Sequence, residues 1–207
     1  MSRCITIVDY GMGNLGSVRN ALHYLGARTS ISADPASIAK ADALLLPGVG
    51  SYRAAMQALW AFGLCEAILE ATIGRGRKIL GICLGMQLLG VASTEDGETN
   101  GLGIIPAPVS RFLGHASGGL KVPHVGFNEV TAGECSVLMR GVRDKADFYF
   151  VHSYRMLPDG LDGCVSTCNY DGVFVAAFER GNIFATQFHP EKSQTNGLVL
   201  LRNFLAA

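Results

Sequence analysis

The chain carries no excess of charge of either sign: seventeen Lys and Arg face seventeen Asp and Glu in 207 residues. Without a net field or a basic block, a dedicated electrostatic surface for nucleic acid is not expected. Long apolar runs are missing too. The N-terminal stretch Cys4-Ile5-Thr6-Ile7-Val8 stops at Asp9, too short for the core of a secretory signal, and nothing approaches the roughly 18 apolar residues of a membrane span. The expectation is a cytoplasmic protein that meets neither nucleic acid nor membrane. Metal-site spacing is absent as well. Cys164 and Cys168 stand three residues apart with no histidine nearby, and His23, His115, His124 and His152 show no paired ligand spacing. Neither metal nor cofactor is therefore expected. The six cysteines, at 4, 65, 83, 135, 164 and 168, would suit a disulfide framework only in a small secreted chain, so they are expected to be reduced. No repeat, low-complexity tract or linker interrupts the chain, and its length suits a single domain over 1–207 with a core that holds without staples.

What is present alternates. Residues 4–9 lean towards β-branched types, 14–25 read helical, 28–32 extended, 35–41 helical, and 43–46 form an apolar run ending at Pro47-Gly48. That βαβαβ order predicts an α/β fold with an open, mostly parallel sheet covered by helices on both faces and functional loops at the carboxyl ends of its strands. Residues 50–75 read as two helical pieces broken near Gly63, and 93–103 as a polar loop. Extended runs at 121–130, 146–154, 163–168, 173–179 and 183–189 predict antiparallel strands extending the same fold, and 196–205 a closing helix.

Two segments carry chemistry. In Gly81-Ile82-Cys83-Leu84-Gly85-Met86-Gln87 a buried strand meets a helix at Cys83, with glycines two residues to either side, as in the G-x-S-x-G elbow of serine hydrolases with cysteine in place of serine. The N–H groups of the following helix favour thiolate over thiol, and the N–H of Leu84 is placed for an oxyanion. A lone cysteine after an apolar strand is more often a small core residue. His189-Pro190-Glu191 changes that balance: proline biases His189 towards extended geometry, so residues 189 and 191 can project to one side and the carboxylate can fix the imidazole tautomer. One motif points elsewhere. Gly11-Met12-Gly13-Asn14-Leu15-Gly16 is a literal G-x-G-x-x-G between strand and helix with Asp34 following, which keeps a NAD-binding oxidoreductase as a rival.

GICLGMQ and HPEKS together resemble the class I, triad-type glutamine amidotransferases. The stretches Asp9–Leu15, Pro47–Gly50, Lys121–Val130 and Phe148–Tyr154 are similar to the glutaminase subunits of imidazole glycerol phosphate synthase. The resemblance implies a three-layer fold and hydrolysis of L-glutamine to glutamate and ammonia by a triad of Cys83, His189 and Glu191. It implies an oxyanion hole from Val49, Gly50 and Leu84, and substrate contacts from Gln87, Glu95, Ser153 and Tyr154. It also implies a heterodimer with a (β/α)8 cyclase that makes imidazole glycerol phosphate and AICAR from PRFAR in histidine biosynthesis, docking near Asn14, Phe127, Tyr149 and Lys192. Phe127 departs from the tryptophan common at its position in that family. Glutaminase subunits of other amidotransferases, such as anthranilate synthase, share the elbow and remain an alternative, as does a non-catalytic member of the fold.

Overall fold

A computed structural model of the chain describes residues 4–114 and 120–207; His115 lies outside the described residues. Seven strands form the main sheet in the order β11-β12-β13-β4-β3-β1-β2. These are β1 (Cys4–Val8), β2 (Arg28–Ser32), β3 (Ala43–Gly48), β4 (Lys78–Cys83), β11 (Cys164–Asn169), β12 (Val173–Arg180) and β13 (Ile183–Thr186). The five from β2 to β13 run parallel, and β12 and β11 extend the edge antiparallel. Because the strand period is 2, each buried strand sends side chains to both faces. Ile5, Ile7, Ala43, Leu45, Leu80 and Ile82 pack on one side with α1 (Leu15–Tyr24) and α6 (Gln194–Ala206). Val8, Leu44, Leu46 and Ile79 pack on the other with α2 (Pro35–Ala39), α3 (Tyr52–Ala61), α4 (Leu64–Leu69) and α5 (Leu84–Leu88). The predicted open α/β sheet with helices on both faces and antiparallel additions is the observed architecture.

Details differ from the sequence expectation. β13 lies parallel to β4 and antiparallel to β12, so the last extended run is part of the sheet's parallel centre. The polar loop at 93–103 contains β6 (Thr99–Asn100), which joins β5 (Ala92–Ser93), β7 (Val109–Arg111) and β10 (Tyr154–Met156) in a small second sheet. β8 (His124–Val130) and β9 (Ala146–His152) form a two-stranded ribbon of their own. α4 ends in a π-helical turn over Glu70–Gly74. No single helix among the described residues is long and apolar enough to cross a membrane.

The reduced-cysteine expectation fails for one pair: Cys135 and Cys164 form a disulfide, while Cys4, Cys65, Cys83 and Cys168 are free. The cause is long-range. A bridge between Thr131 and Thr167, a hydrogen bond from Gly133 N to Ser166 Oγ, and donation from Ser136, Val137 and Leu138 to the buried Glu179 carboxylate fasten the segment after β8 onto β11 and β12. That leaves the two Cα atoms 5.7 Å apart, within disulfide reach.

Candidate active site

Parallel strands β3 and β4 end side by side, with Gly48 opposite Cys83, so the loops that leave them meet at the carboxyl edge of the sheet. Cys83 holds φ +54°, a left-handed conformation that costs a non-glycine residue about 1–3 kcal/mol. The glycines around it answer to close approach. A Cβ on Gly85 would lie 1.8 Å from the Leu46 carbonyl oxygen, and one on Gly81 would lie 2.9 Å from Met86 N. The turn is therefore packed from both sides and its sulfur is aimed outward, into a cavity of about 330 Å³. α5 has only five residues, so the local field at Cys83 comes from the free N–H groups of its first turn more than from a long helix dipole.

His189 reaches the same cavity from the segment after β13. Its backbone is extended, at φ −96° and ψ 96°, but Pro190–Lys192 then forms a 3-10 turn that folds Glu191 back under the ring. The two side chains meet because of that turn, not by projecting from one strand. His189 Nδ1 stands 2.8 Å from Glu191 Oε1, with the side chains 3% and 1% exposed. A carboxylate can only accept, so Nδ1 carries the proton and Nε2 is left facing the cavity. Among the described residues, Nε2 finds no well-formed hydrogen bond, and neither does Glu191 Oε2. Burial alone would depress the imidazole. Its interactions with Cys83 and then Glu191 outweigh burial and push His189 up to about 9.

The candidate oxyanion and substrate residues Val49, Gly50, Leu84, Gln87, Glu95, Ser153 and Tyr154 all line this cavity with Cys83 and His189. Gln87 is buried and spends both N–H groups inside the protein, on the Tyr154 carbonyl at 2.9 Å and on Gln187 Oε1 at 3.0 Å, which leaves its own oxygen for the cleft. Glu95 accepts from Tyr52 N at 2.9 Å, and its carboxyl is raised by burial and by the Asp96 charge against that bond. Of the four docking candidates, three meet on one surface. Phe127, half exposed, stands edge-on to Tyr149 with ring centroids 5.5 Å apart, and Lys192 Nζ lies 5.7 Å over the Tyr149 ring. Asn14 instead caps α1, accepting from Ser17 N at 3.3 Å.

The glycine motif at 11–16 does not behave as a dinucleotide fingerprint. The third glycine of such a motif serves close helix–sheet packing, yet a Cβ on Gly16 would meet nothing within 4 Å. Asp34 is occupied as the cap of α2, accepting from Ser37 N and Oγ.

Sequence reasoning missed four contributors. Tyr10, buried, donates to the Pro47 carbonyl at 2.9 Å and steadies the loop carrying Val49 and Gly50; burial and the neighbouring Cys83 raise its phenol. Gln187 touches the Cys83 sulfur. His124 and His152, which look unrelated in sequence, sit opposite each other across β8 and β9 and bond at 3.1 Å. Burial drives both down, to about 4 and about 3, so both are neutral at physiological pH. No cluster of three or more His, Cys, Asp or Glu suited to a metal ion is found among the described residues.

The chain is similar to known proteins over nearly its whole length. The pattern that defines glutamine amidotransferase class-I matches residues 6–207. The imidazole glycerol phosphate synthase subunit HisH 1 of Parasynechococcus marenigrum is 43% identical over 203 residues, 98% of this chain and 97% of that protein. The chloroplastic imidazole glycerol phosphate synthase hisHF of Arabidopsis thaliana is 46% identical over 203 residues, 97% of this chain and 34% of that protein. Among solved structures, PurLQS from Thermotoga maritima has the same fold, with a TM-score of 0.74 at 18% identity over 100% of this chain and 99% of that one.

Proposed function

Because the chain belongs to the class-I glutamine amidotransferases, we propose that it is the glutaminase subunit of an imidazole glycerol phosphate synthase, releasing ammonia from L-glutamine for a separate cyclase in histidine biosynthesis. The observation that carries the reading is a strained cysteine sharing one cavity with a histidine whose other nitrogen is held by a buried carboxylate. The full-length likeness to synthase subunits selects this pathway over other amidotransferases.

Cys83 Sγ gives its proton to His189 Nε2 and attacks the γ-carbonyl carbon of glutamine. The oxyanion takes a hydrogen bond from Leu84 N–H and, once the Val49–Gly50 peptide turns inward, a second from Gly50 N–H. His189 returns the proton to the departing ammonia, leaving a γ-glutamyl thioester. It then removes a proton from water, which attacks the thioester to release glutamate and restore the thiol. Glu191 keeps Nε2 aimed throughout. Gln87 oxygen and Glu95 receive the substrate ammonium, and the backbone at Ser153 and Tyr154 receives its carboxylate. Glutamine and water go in, glutamate and ammonia come out.

Ammonia needs a consumer, and in the Arabidopsis relative the stretch similar to this chain makes up 34% of a longer synthase. We assign the docking face to the rim where Val125, Phe127 and Val151 stay exposed on the β8–β9 ribbon beside Tyr149 and Lys192. The partner is a (β/α)8 cyclase, in a cytoplasmic heterodimer, supplied with PRFAR. Glutamate release by the free chain, by its complex with the cyclase, and by the complex with PRFAR tests the assignment. Cys83→Ala should abolish release in all three, and cyclase ligand should accelerate the wild-type complex. Release persisting in Cys83→Ala would refute the nucleophile, and no response to the cyclase or PRFAR would refute the partner.

A further inference from the structure

Among the described residues, the Cys83 sulfur makes two hydrogen bonds besides its contact with the histidine. As a thiol it donates to the Val151 carbonyl at 3.8 Å, and it accepts from Gln187 Nε2 at 3.7 Å. Gln187 follows β13, whose register sets Thr186 opposite Ile82, so one more residue brings it beside Cys83. Its backbone N–H continues the ladder to Ala176 O at 2.8 Å, and its side chain is fully buried.

The direction of these bonds follows from one carbonyl. Tyr154 O can only accept, and it takes both His152 Nδ1–H at 2.8 Å and a Gln87 N–H at 2.9 Å. Gln87 must therefore present its NH2 end, and the second N–H of that group meets Gln187 at 3.0 Å. Gln187 must answer with its oxygen, which turns its own NH2 to the sulfur. A flipped Gln187 would face its NH2 to that of Gln87 and its oxygen to the sulfur.

We propose that Gln187 is a catalytic residue of the glutaminase: its side-chain amide holds the Cys83 thiolate when the S–H proton passes to His189. Without that donor the sulfur's remaining hydrogen-bond partner among the described residues is the Val151 oxygen, which welcomes a thiol and repels a thiolate. The inference rests on Cys83 being the nucleophile, and its test does not need turnover.

Site-resolved carbamidomethylation of the full chain by iodoacetamide, followed by peptide mass spectrometry, reads the Cys83 thiolate against pH separately from Cys4, Cys65 and Cys168. His189, Glu191, Tyr10, His152, Glu95 and Tyr154, the titratable groups that face the sulfur or its cavity, stay unchanged in the variants. Gln187→Met, similar in size and lacking the N–H, should move the Cys83 midpoint up by about one pH unit, a tenfold loss of thiolate below both midpoints. Glutaminase kcat/KM should fall about tenfold with it. A midpoint unmoved in a folded Gln187→Met overturns the proposal. If that variant does not fold, the wild type decides: the Gln187 side-chain N–H resonances should shift with the Cys83 titration and lose that inflection in Cys83→Ala, and resonances indifferent to the titration overturn it. An unreactive Cys83 in a wild type that still hydrolyses glutamine would refute the nucleophile itself.

Discussion

Gly85→Ala should damage the site without touching any reacting group. The new Cβ would lie 1.8 Å from the Leu46 carbonyl oxygen and 2.8 Å from its carbon, whereas real Cβ atoms essentially never approach another heavy atom closer than 3.0 Å. Both partners are backbone, one in β3 and one in α5, so no side chain can rotate to make room. The helix must move off the strand by more than an ångström. Overpacking of this kind costs about 1–3 kcal/mol, which for a chain of this size lowers Tm by about 2–12 °C. Catalysis should suffer more than stability. Leu84 N–H and Cys83 ride on the displaced turn, and a misplacement of about 1 Å costs on the order of 10²-fold in kcat. Glutamate release in the cyclase complex and a thermal melt measure the two effects. Gly16→Ala is the control, because its Cβ meets open space at the start of α1; it should keep full activity and gain up to about 1 kcal/mol. A Gly85→Ala enzyme with wild-type kcat and Tm would refute the claim that the elbow is held by this contact.

Two further outcomes follow from the structure. His189 is raised from 6.5 to about 9 in the folded protein, so its contribution to stability is complete below about pH 6.5 and is lost as pH rises through 9. Urea unfolding of wild type and His189→Gln at pH 6, 8 and 10 should therefore show the difference between them shrinking by up to about 3 kcal/mol, and parallel curves would contradict the shift. The Cys135–Cys164 pair closes a sequence separation of 29, so under oxidising conditions Cys135→Ser should be less stable than wild type by up to about 3–4 kcal/mol. The gap should close in reductant with glutaminase activity equal throughout, and a gap that survives reductant would argue against the bond.

The parts of this protein that were legible in its sequence are those built from neighbours. The near-continuous apolar runs Cys4–Val8 and Ala43–Leu46 report two-sided burial directly, and the glycine at 81 reports a crowded turn because Met86 and Leu89 of that same turn crowd it, whereas the Leu46 carbonyl that crowds Gly85 comes from another strand. His189 and Glu191 were legible as a pair, although their geometry was not: proline bends the chain into a 3-10 turn where an extended strand end was expected. What stayed hidden depends on contacts between distant segments. Cys135 meets Cys164 only because Glu179 gathers the residues that follow Cys135. Tyr10 reads as one more aromatic until Pro47 is placed above it, and Gln187 as a polar residue in a strand end until β13 is found beside β4. His124 and His152 needed the register of β8 and β9 to become partners.

The crowding around Gly48 has a temporal consequence. A Cβ there would meet the Tyr10 hydroxyl at 2.4 Å, Leu84 Cβ at 2.9 Å and Gly85 N at 3.0 Å, so this end of β3 is pinned and cannot swing as a lid. What can turn is the Val49–Gly50 peptide beyond it, where Val49 is exposed and Gly50 sits at φ +105°. Loops moving on their own relax in nanoseconds to microseconds, while domain closures take microseconds to milliseconds. If that peptide is the gate proposed above, it keeps no memory of its previous setting: glutamine consumption in the proposed complex would start and stop with the cyclase substrate without a lag.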